Sequence, residues 1–199
     1  KLSGGRSFFD RKEVSDLLAY AQHAIHPEDN MSIRQIFNAP VRYIANTAIN
    51  GLEKYSSQYD MSLEEAIGYY DAERYTSGFK RVVQDFENIR KHTGKRADVV
   101  LKKFYSMVNY ENFIYSKSMS HTELATKEEA VERLFDIASK FNTIQHFLAH
   151  VSVIKNNSKR DEDAVNVMTV HASKGLEYEH VFVAGASEEN YPHKMATDY

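Results

Sequence analysis

A mainly helical chain with a small α/β portion is the prediction, and three observations carry it. Glycine and proline are scarce, 8 and 3 in 199 residues, which is too few breakers for a sandwich or barrel of short strands. Apolar residues recur at helical spacing from Val14 to Val151. Only beyond a charged stretch, residues 156–163, do Val-rich runs of strand character appear, AVNVMTV and HVFVAG.

The elements follow in order. Ser3-Gly4-Gly5 reads as a turn leading into a short extended piece. Asp10 is the expected cap of a first helix, with Glu13 as its capping-box partner and Phe9 and Val14 as the staple. Val14, Leu17, Leu18, Ala21 and Ile25 form that helix's apolar stripe, and Pro27 lies just past its end. After the polar HPEDN, Ile33, Ile36 and Phe37 mark a short helix that must stop before Pro40. Asn46 caps a helix holding Ile49, Leu52 and Tyr55, and Ser62 with Glu65 forms a capping box for Leu63 to about Tyr70. Phe79, Val82, Val83, Phe86 and Ile89 make a further stripe, ended by Gly94 in the left-handed conformation. Residues 98–108 continue helically, Thr126 with Glu129 opens a long helix through Phe141, and Ile144, Phe147, Leu148 and Val151 carry the next. A helical middle, about 29–158, between polar linkers and flanked by strand-bearing ends, reads as an insertion into one α/β domain. A continuous helical domain with a terminal hairpin is the alternative.

Composition narrows the chemistry. The balance of 25 Lys+Arg against 28 Asp+Glu is globular, and at this length a core buries roughly 70% of the unfolded surface. The absence of cysteine excludes a disulfide framework, a thiolate zinc site, an iron–sulfur cluster and a cysteine nucleophile, and allows a cytoplasmic location, which is the expectation. No apolar run approaches the ~18 residues of a membrane span and the start has no signal region, so a soluble chain without a membrane partner is expected. Charge is uneven: Arg74 to Lys117 holds ten Lys/Arg against four Asp/Glu, leaving the remainder strongly acidic. That segment is either a phosphate-facing surface or the solvated face of core helices.

Residues 165–185 have the order strand, polar loop with glycine, short helix, strand. A loop at the carboxyl end of a parallel strand borders a crevice, and the amides opening the next helix face any anion there. Thr169, His171, Ser173 and Lys174 line this loop, and Glu177, one turn on, is suited to accept a hydrogen bond from a sugar hydroxyl. The residues alone leave open a nucleotide site or an ordinary surface turn. His146 and His150 stand four apart without an evident third ligand, and His23 and His26 are similar, so partly exposed helix residues are expected and no metal site. Tyr55, Tyr59, Tyr69 and Tyr70 fit helix packing, with base stacking the other option.

The string MTVHASKGLEYEHVFVAGASEENYPH closely resembles motif V and its flank in the UvrD/Rep/PcrA-like superfamily I DNA helicases, whose pattern is Met-Thr-x-His-x-x-Lys-Gly-Leu-Glu-aromatic, an apolar strand and a Pro. GGRSFFDRKEVSDLLAY resembles the family's Gly-Gly-x-x-Phe-Phe-x-Arg-x-Glu-Ile-x-Asp stretch, and NAPVRYIANT its Asn-x-Pro-x-Arg-Gly-Ile-Gly-x-x-Thr stretch. The three occur in the family's order, while residues from about 50 to 160 match only in pattern.

The resemblance implies a helical insertion domain, 29–158, inside an incomplete RecA-like α/β motor domain, the family's second, made of 1–28 and of 159–199, the part carrying motif V. It implies that Glu177 contacts the ATP ribose and that Thr169, His171, Lys174 and Gly175 form the motif V loop at the ATP/DNA cleft. The family's Gly-Ile-Gly stands here as Tyr43-Ile44-Ala45, so contact with duplex DNA would fall to Arg42 and Thr47. The chain has no Gly-Lys-Ser/Thr loop, no acidic pair at a strand end and no arginine finger. It therefore reads as part of a longer protein, with no catalytic residue, no metal ligand and no cofactor held by this chain alone. The whole protein is expected to be an ATP-dependent DNA helicase, of 3'-5' polarity by family analogy, using ATP and Mg2+. Its partners would be single-stranded DNA, duplex–single-strand junctions and the first RecA-like motor domain of the same protein. A non-catalytic DNA-binding or protein-docking module, or part of a recombination helicase–nuclease subunit, are the alternatives.

Overall fold

Helix α1 (Lys12–Ile25) carries apolar or small residues on nearly every side: Val14, Leu17, Leu18, Ala19, Tyr20, Ala21 and Ala24 are all buried. A helix of that kind has to be enclosed by others. The computed structural model, which describes residues 7–70, 76–157, 165, 167–170 and 173–186, packs α2 (Asn30–Ile36), α5 (Thr76–Arg90), α6 (Ala97–Met107), α8 (His121–Ala138) and α9 (Ile144–Asn157) against it. Helices α3 (Asn46–Tyr59), α4 (Leu63–Ile67) and α7 (Tyr110–Ser116) extend this layer, α3 on α4 and α7 on α6 and α8. Among the described residues, one hydrophobic core cluster runs from Phe9 to Val151.

The chain divides into two compact units, residues 6–163 and a unit containing 164–199. Compactness groups α1 with the later helices, whereas the linker reading drew a boundary at residue 28; the apolar surface of α1 is buried within the helical unit. The turn at Ser3 to Gly5 and most of the charged stretch 156–163 lie outside the described residues.

Several helix ends differ from expectation. Asp10 belongs to a 3-10 turn, Phe8–Asp10, and the cap of α1 is Arg11, whose side chain instead pairs with Glu13 at 2.7 Å. Helix α3 is capped one residue early, at Ala45. The Ser62/Glu65 capping box forms, but α4 ends at Ile67. Helix α5 ends at Arg90, where Thr93 Oγ1 donates to the Arg90 carbonyl, and Gly94 is outside the left-handed region. Helix α8 begins at His121 behind the Ser120 cap, five residues before Thr126, whose hydroxyl bonds back to Thr122.

The mainly helical prediction stands, but neither Val-rich run is a strand among the described residues. Val167 makes an isolated bridge and residues 180–185 have no regular structure. A strand exists through the ladder it shares with a neighbour. No described segment of that unit supplies one, and Val181, Phe182 and Val183 are exposed.

Candidate functional site

The polar loop of the 164–199 unit is closed on itself by hydrogen bonds. Ser173 N–H donates to the carbonyls of Thr169 and Val170 at 3.1 and 3.3 Å, its hydroxyl donates to the Val170 carbonyl at 2.8 Å, and Leu176 N–H donates to Ser173. Gly175 sits at φ +83°, where a side chain would be strained, and no atom lies within 4 Å of where its Cβ would be. That conformation suits a glycine and leaves room for close approach to the backbone. Tyr178 OH reaches Met168 Sδ at 3.6 Å and ties the loop's two arms. Lys174 and Glu177 are both exposed, as is Thr169. The loop thus displays a cation and a carboxylate on either side of an open glycine. His171 lies outside the described residues.

In the helical unit, the turn after α2 is built around Arg42. Its side chain is 2% exposed. Nη1 donates to the carbonyls of Ile36 and Phe37 at 2.9 and 3.2 Å, while Nη2 donates to Tyr20 OH at 2.8 Å and Asp85 Oδ2 at 2.6 Å. Tyr20 OH in turn donates to the Ala39 carbonyl at 2.7 Å. Burial disfavours the arginine's charge, but Tyr20 and Asp85 outweigh it and raise the pKa above the ordinary value. Burial likewise pushes the Tyr20 phenol up to about 12. A guanidinium so enclosed holds the turn together and faces away from solvent. Thr47, in the first turn of α3, is exposed, and Tyr43 projects 86% exposed from a left-handed φ of 55°.

Sequence reasoning missed a second buried polar cluster. His23, read as a partly exposed helix residue, is fully buried: Nε2 lies 2.7 Å from Glu64 Oε2, Nδ1 lies 3.1 Å from the Asp29 carbonyl, and the ring meets Phe86 edge-on at 4.4 Å. Arg90 grips the same Glu64 carboxylate with both terminal nitrogens. Burial works against the Glu64 charge, yet hydrogen bonds from Arg90 and His23 prevail and bring its pKa down to about 2. Asp16, an acid that is fully buried, accepts from Tyr110 OH at 2.7 Å and Gln35 Nε2 at 2.9 Å. Burial and the Asp16 charge raise the Tyr110 pKa. The available signal was spacing: Asp16, Tyr20 and His23 are polar residues at helical intervals among the apolar residues of α1.

His26, His146 and His150 are exposed, and among the described residues no three potential metal ligands converge. No helix among them is long and apolar enough to cross a membrane.

Comparison with known proteins gives these elements a context. Residues 1–198 match the family described as the UvrD-like helicase C-terminal domain. Relatives include the ATP-dependent DNA helicase PcrA of Bacillus subtilis (strain 168), 28% identical over 212 residues covering 97% of this chain and 28% of the relative. The ATP-dependent DNA helicase Rep of Escherichia coli (strain K12) is 26% identical over 223 residues, 100% of this chain and 32% of the relative. DNA helicase II of Rickettsia typhi (strain ATCC VR-144 / Wilmington) is 27% identical over 208 residues, 100% of this chain and 31% of the relative. The chain spans about a third of the length of the curated relatives it matches. With a family match over all but its last residue, the chain belongs to the UvrD-like helicase C-terminal domain family.

Proposed function

We propose that this chain supplies the helical insertion domain and the motif V loop of an ATP-dependent DNA helicase that couples ATP hydrolysis to 3'-5' translocation on single-stranded DNA and to duplex unwinding. The observation that carries this reading is the family match over residues 1–198. Within it, the loop's exposed Lys174 and Glu177 about an open Gly175 suit a cleft shared by a nucleotide and a phosphate backbone.

In this reading Glu177 accepts a hydrogen bond from an ATP ribose hydroxyl, and Thr169, His171, Lys174 and Gly175 border the DNA side. ATP and Mg2+ are held by the whole protein, where hydrolysis supplies the free energy for movement. The first RecA-like motor domain of the same protein faces the loop across that cleft, and the DNA partners are single strands and duplex–single-strand junctions. Residues 1–28 and 159–199 would contribute to the second motor domain and 29–158 the insertion. Thr47 is the exposed candidate for duplex contact, and Arg42 supports the turn that presents it.

The test uses the full-length protein. DNA-stimulated ATP hydrolysis and strand separation are expected, and Glu177→Ala should raise KM for ATP about tenfold with a smaller effect on kcat, the cost of one hydrogen bond to a charged group. An unchanged KM would remove Glu177 from the ribose. A parent protein without DNA-stimulated hydrolysis would instead support a motorless DNA-binding or docking module. The isolated 199-residue chain is expected to hydrolyse no ATP.

A further inference from the structure

One end of the helical unit is strongly basic and takes no part in the loop or the turn described above. The connection from α5 to α6 reads KHTGKR, residues 91–96, and that from α8 to α9 reads SKFNT, residues 139–143. The two lie side by side, because Ala97 N–H donates to the Phe141 carbonyl at 3.2 Å. Neither contains an Asp or Glu, and Lys91, Lys95, Arg96 and Lys140 are all exposed.

Nearby acid neutralises Arg96 but not the three lysines. Asp98 is already occupied, by Arg96 at 2.6 and 2.9 Å and by Lys102 at 4.0 Å. Lys91 reaches only the side-chain oxygen of Asn88, at 3.3 Å, and Lys95 and Lys140 have no ion-pair partner among the described residues. In a chain of net charge -3, three lysines gathered without ion-pair partners form a local field that attracts polyanions. No exposed large apolar side chain lies in either connection. Peptide docking draws on apolar anchors, whereas a phosphate backbone is bound by point charges and polar groups alone.

We propose that these two connections form a binding surface for the phosphate backbone of nucleic acid. It is separate from the turn around Arg42: a Cβ on Gly78, near the start of α5, would lie 3.2 Å from the Arg42 carbonyl, whereas Lys91 follows the end of α5, a helix about 22 Å long. The inference rests on the helicase reading only in the choice of DNA as the polyanion.

The 199-residue chain would be titrated by fluorescence anisotropy against a labelled duplex–single-strand junction between about 25 and 200 mM salt. The triple variant Lys91→Gln, Lys95→Gln, Lys140→Gln is expected to bind more than tenfold more weakly at low salt, with the slope of log affinity on log salt shallower by about 2 to 3. Lys54→Gln, on α3, should leave the slope unchanged, and an unchanged urea midpoint would show that the triple variant is folded. An unaltered slope in the triple variant would overturn this surface and leave the helicase reading standing. A wild-type chain that binds no DNA at low salt would overturn both the surface and DNA contact by this chain. Polyglutamate displacing the DNA at equal charge concentration would overturn the preference for nucleic acid.

Discussion

Arg42 and Tyr43 are neighbours with opposite fates. A buried guanidinium is retained only when its charge and donors are matched. Arg42 meets that condition at both terminal nitrogens, with Asp85, Tyr20 and backbone carbonyls, while its Nε is buried without a partner. Arg42→Ala should therefore cost about 3 kcal/mol in urea unfolding, because it leaves those groups unpaired. Arg42→Lys should restore little of it, since one ammonium cannot span the fork. A variant of wild-type stability would return Arg42 to the surface role the resemblance implies. Tyr43 adopts a left-handed φ at a position that buries almost none of its ring. Such a conformation costs a non-glycine residue roughly 1–2 kcal/mol, against glycine's greater unfolded entropy of about 0.5–1 kcal/mol. Tyr43→Gly is expected to stabilise the chain by about 0.5–1 kcal/mol, read as a higher urea midpoint at constant m.

Helices make their own tests of sign. Gly78 lies in the second half-turn of α5, where Gly→Ala usually stabilises by about 1 kcal/mol. Here an added Cβ would sit 2.8 Å from Ile44 Cγ1 and 3.2 Å from the Arg42 carbonyl. Gly78→Ala should therefore reverse the usual sign and destabilise by about 1–3 kcal/mol, since backbone cannot yield as a side chain does. Stabilisation would mean that the turn moves freely off α5. At α4 the Ser62/Glu65 box satisfies two orphan donors of a helix only five residues long. Ser62→Ala should cost about 1 kcal/mol by urea unfolding.

Across the molecule, one polar line along α1 connects elements remote in sequence. Asp16 meets α7 through Tyr110, Tyr20 meets the Arg42 turn, and His23 meets α4 and α5 through Glu64 and Arg90. Misplacing any of these helices would strand a buried polar group, which penalises alternative packings. The line also makes stability depend on pH. Glu64 has a folded pKa of about 2 against an ordinary 4.5, so the unfolded state binds protons first. Its contribution is fully present above about pH 4.5 and is lost as pH falls toward 2. Urea midpoints followed from pH 6 to pH 2 should fall more steeply in the wild type than in Glu64→Gln; parallel curves would show that the carboxylate's charge does not matter there.

Much of this was readable along the chain. The apolar phases of α1, α2, α5 and α9, the Ser62 box and the stop before Pro40 depend on residues three or four apart, and they appear as read. So did the strings that mark the family, because short ordered motifs survive without any knowledge of packing. What stayed hidden depended on partners distant in sequence. Arg42 points inward because Asp85 lies 43 residues on, His23 is buried because Glu64 lies 41 residues on, and Arg11, which takes the cap position in place of Asp10, donates to the Thr126 carbonyl 115 residues on. Valine-rich runs have strand propensity, yet a ladder needs a second strand, and none is supplied among the described residues. Local chemistry selects which turns and helices form; the direction in which their polar side chains point is settled by what the folded chain places opposite them.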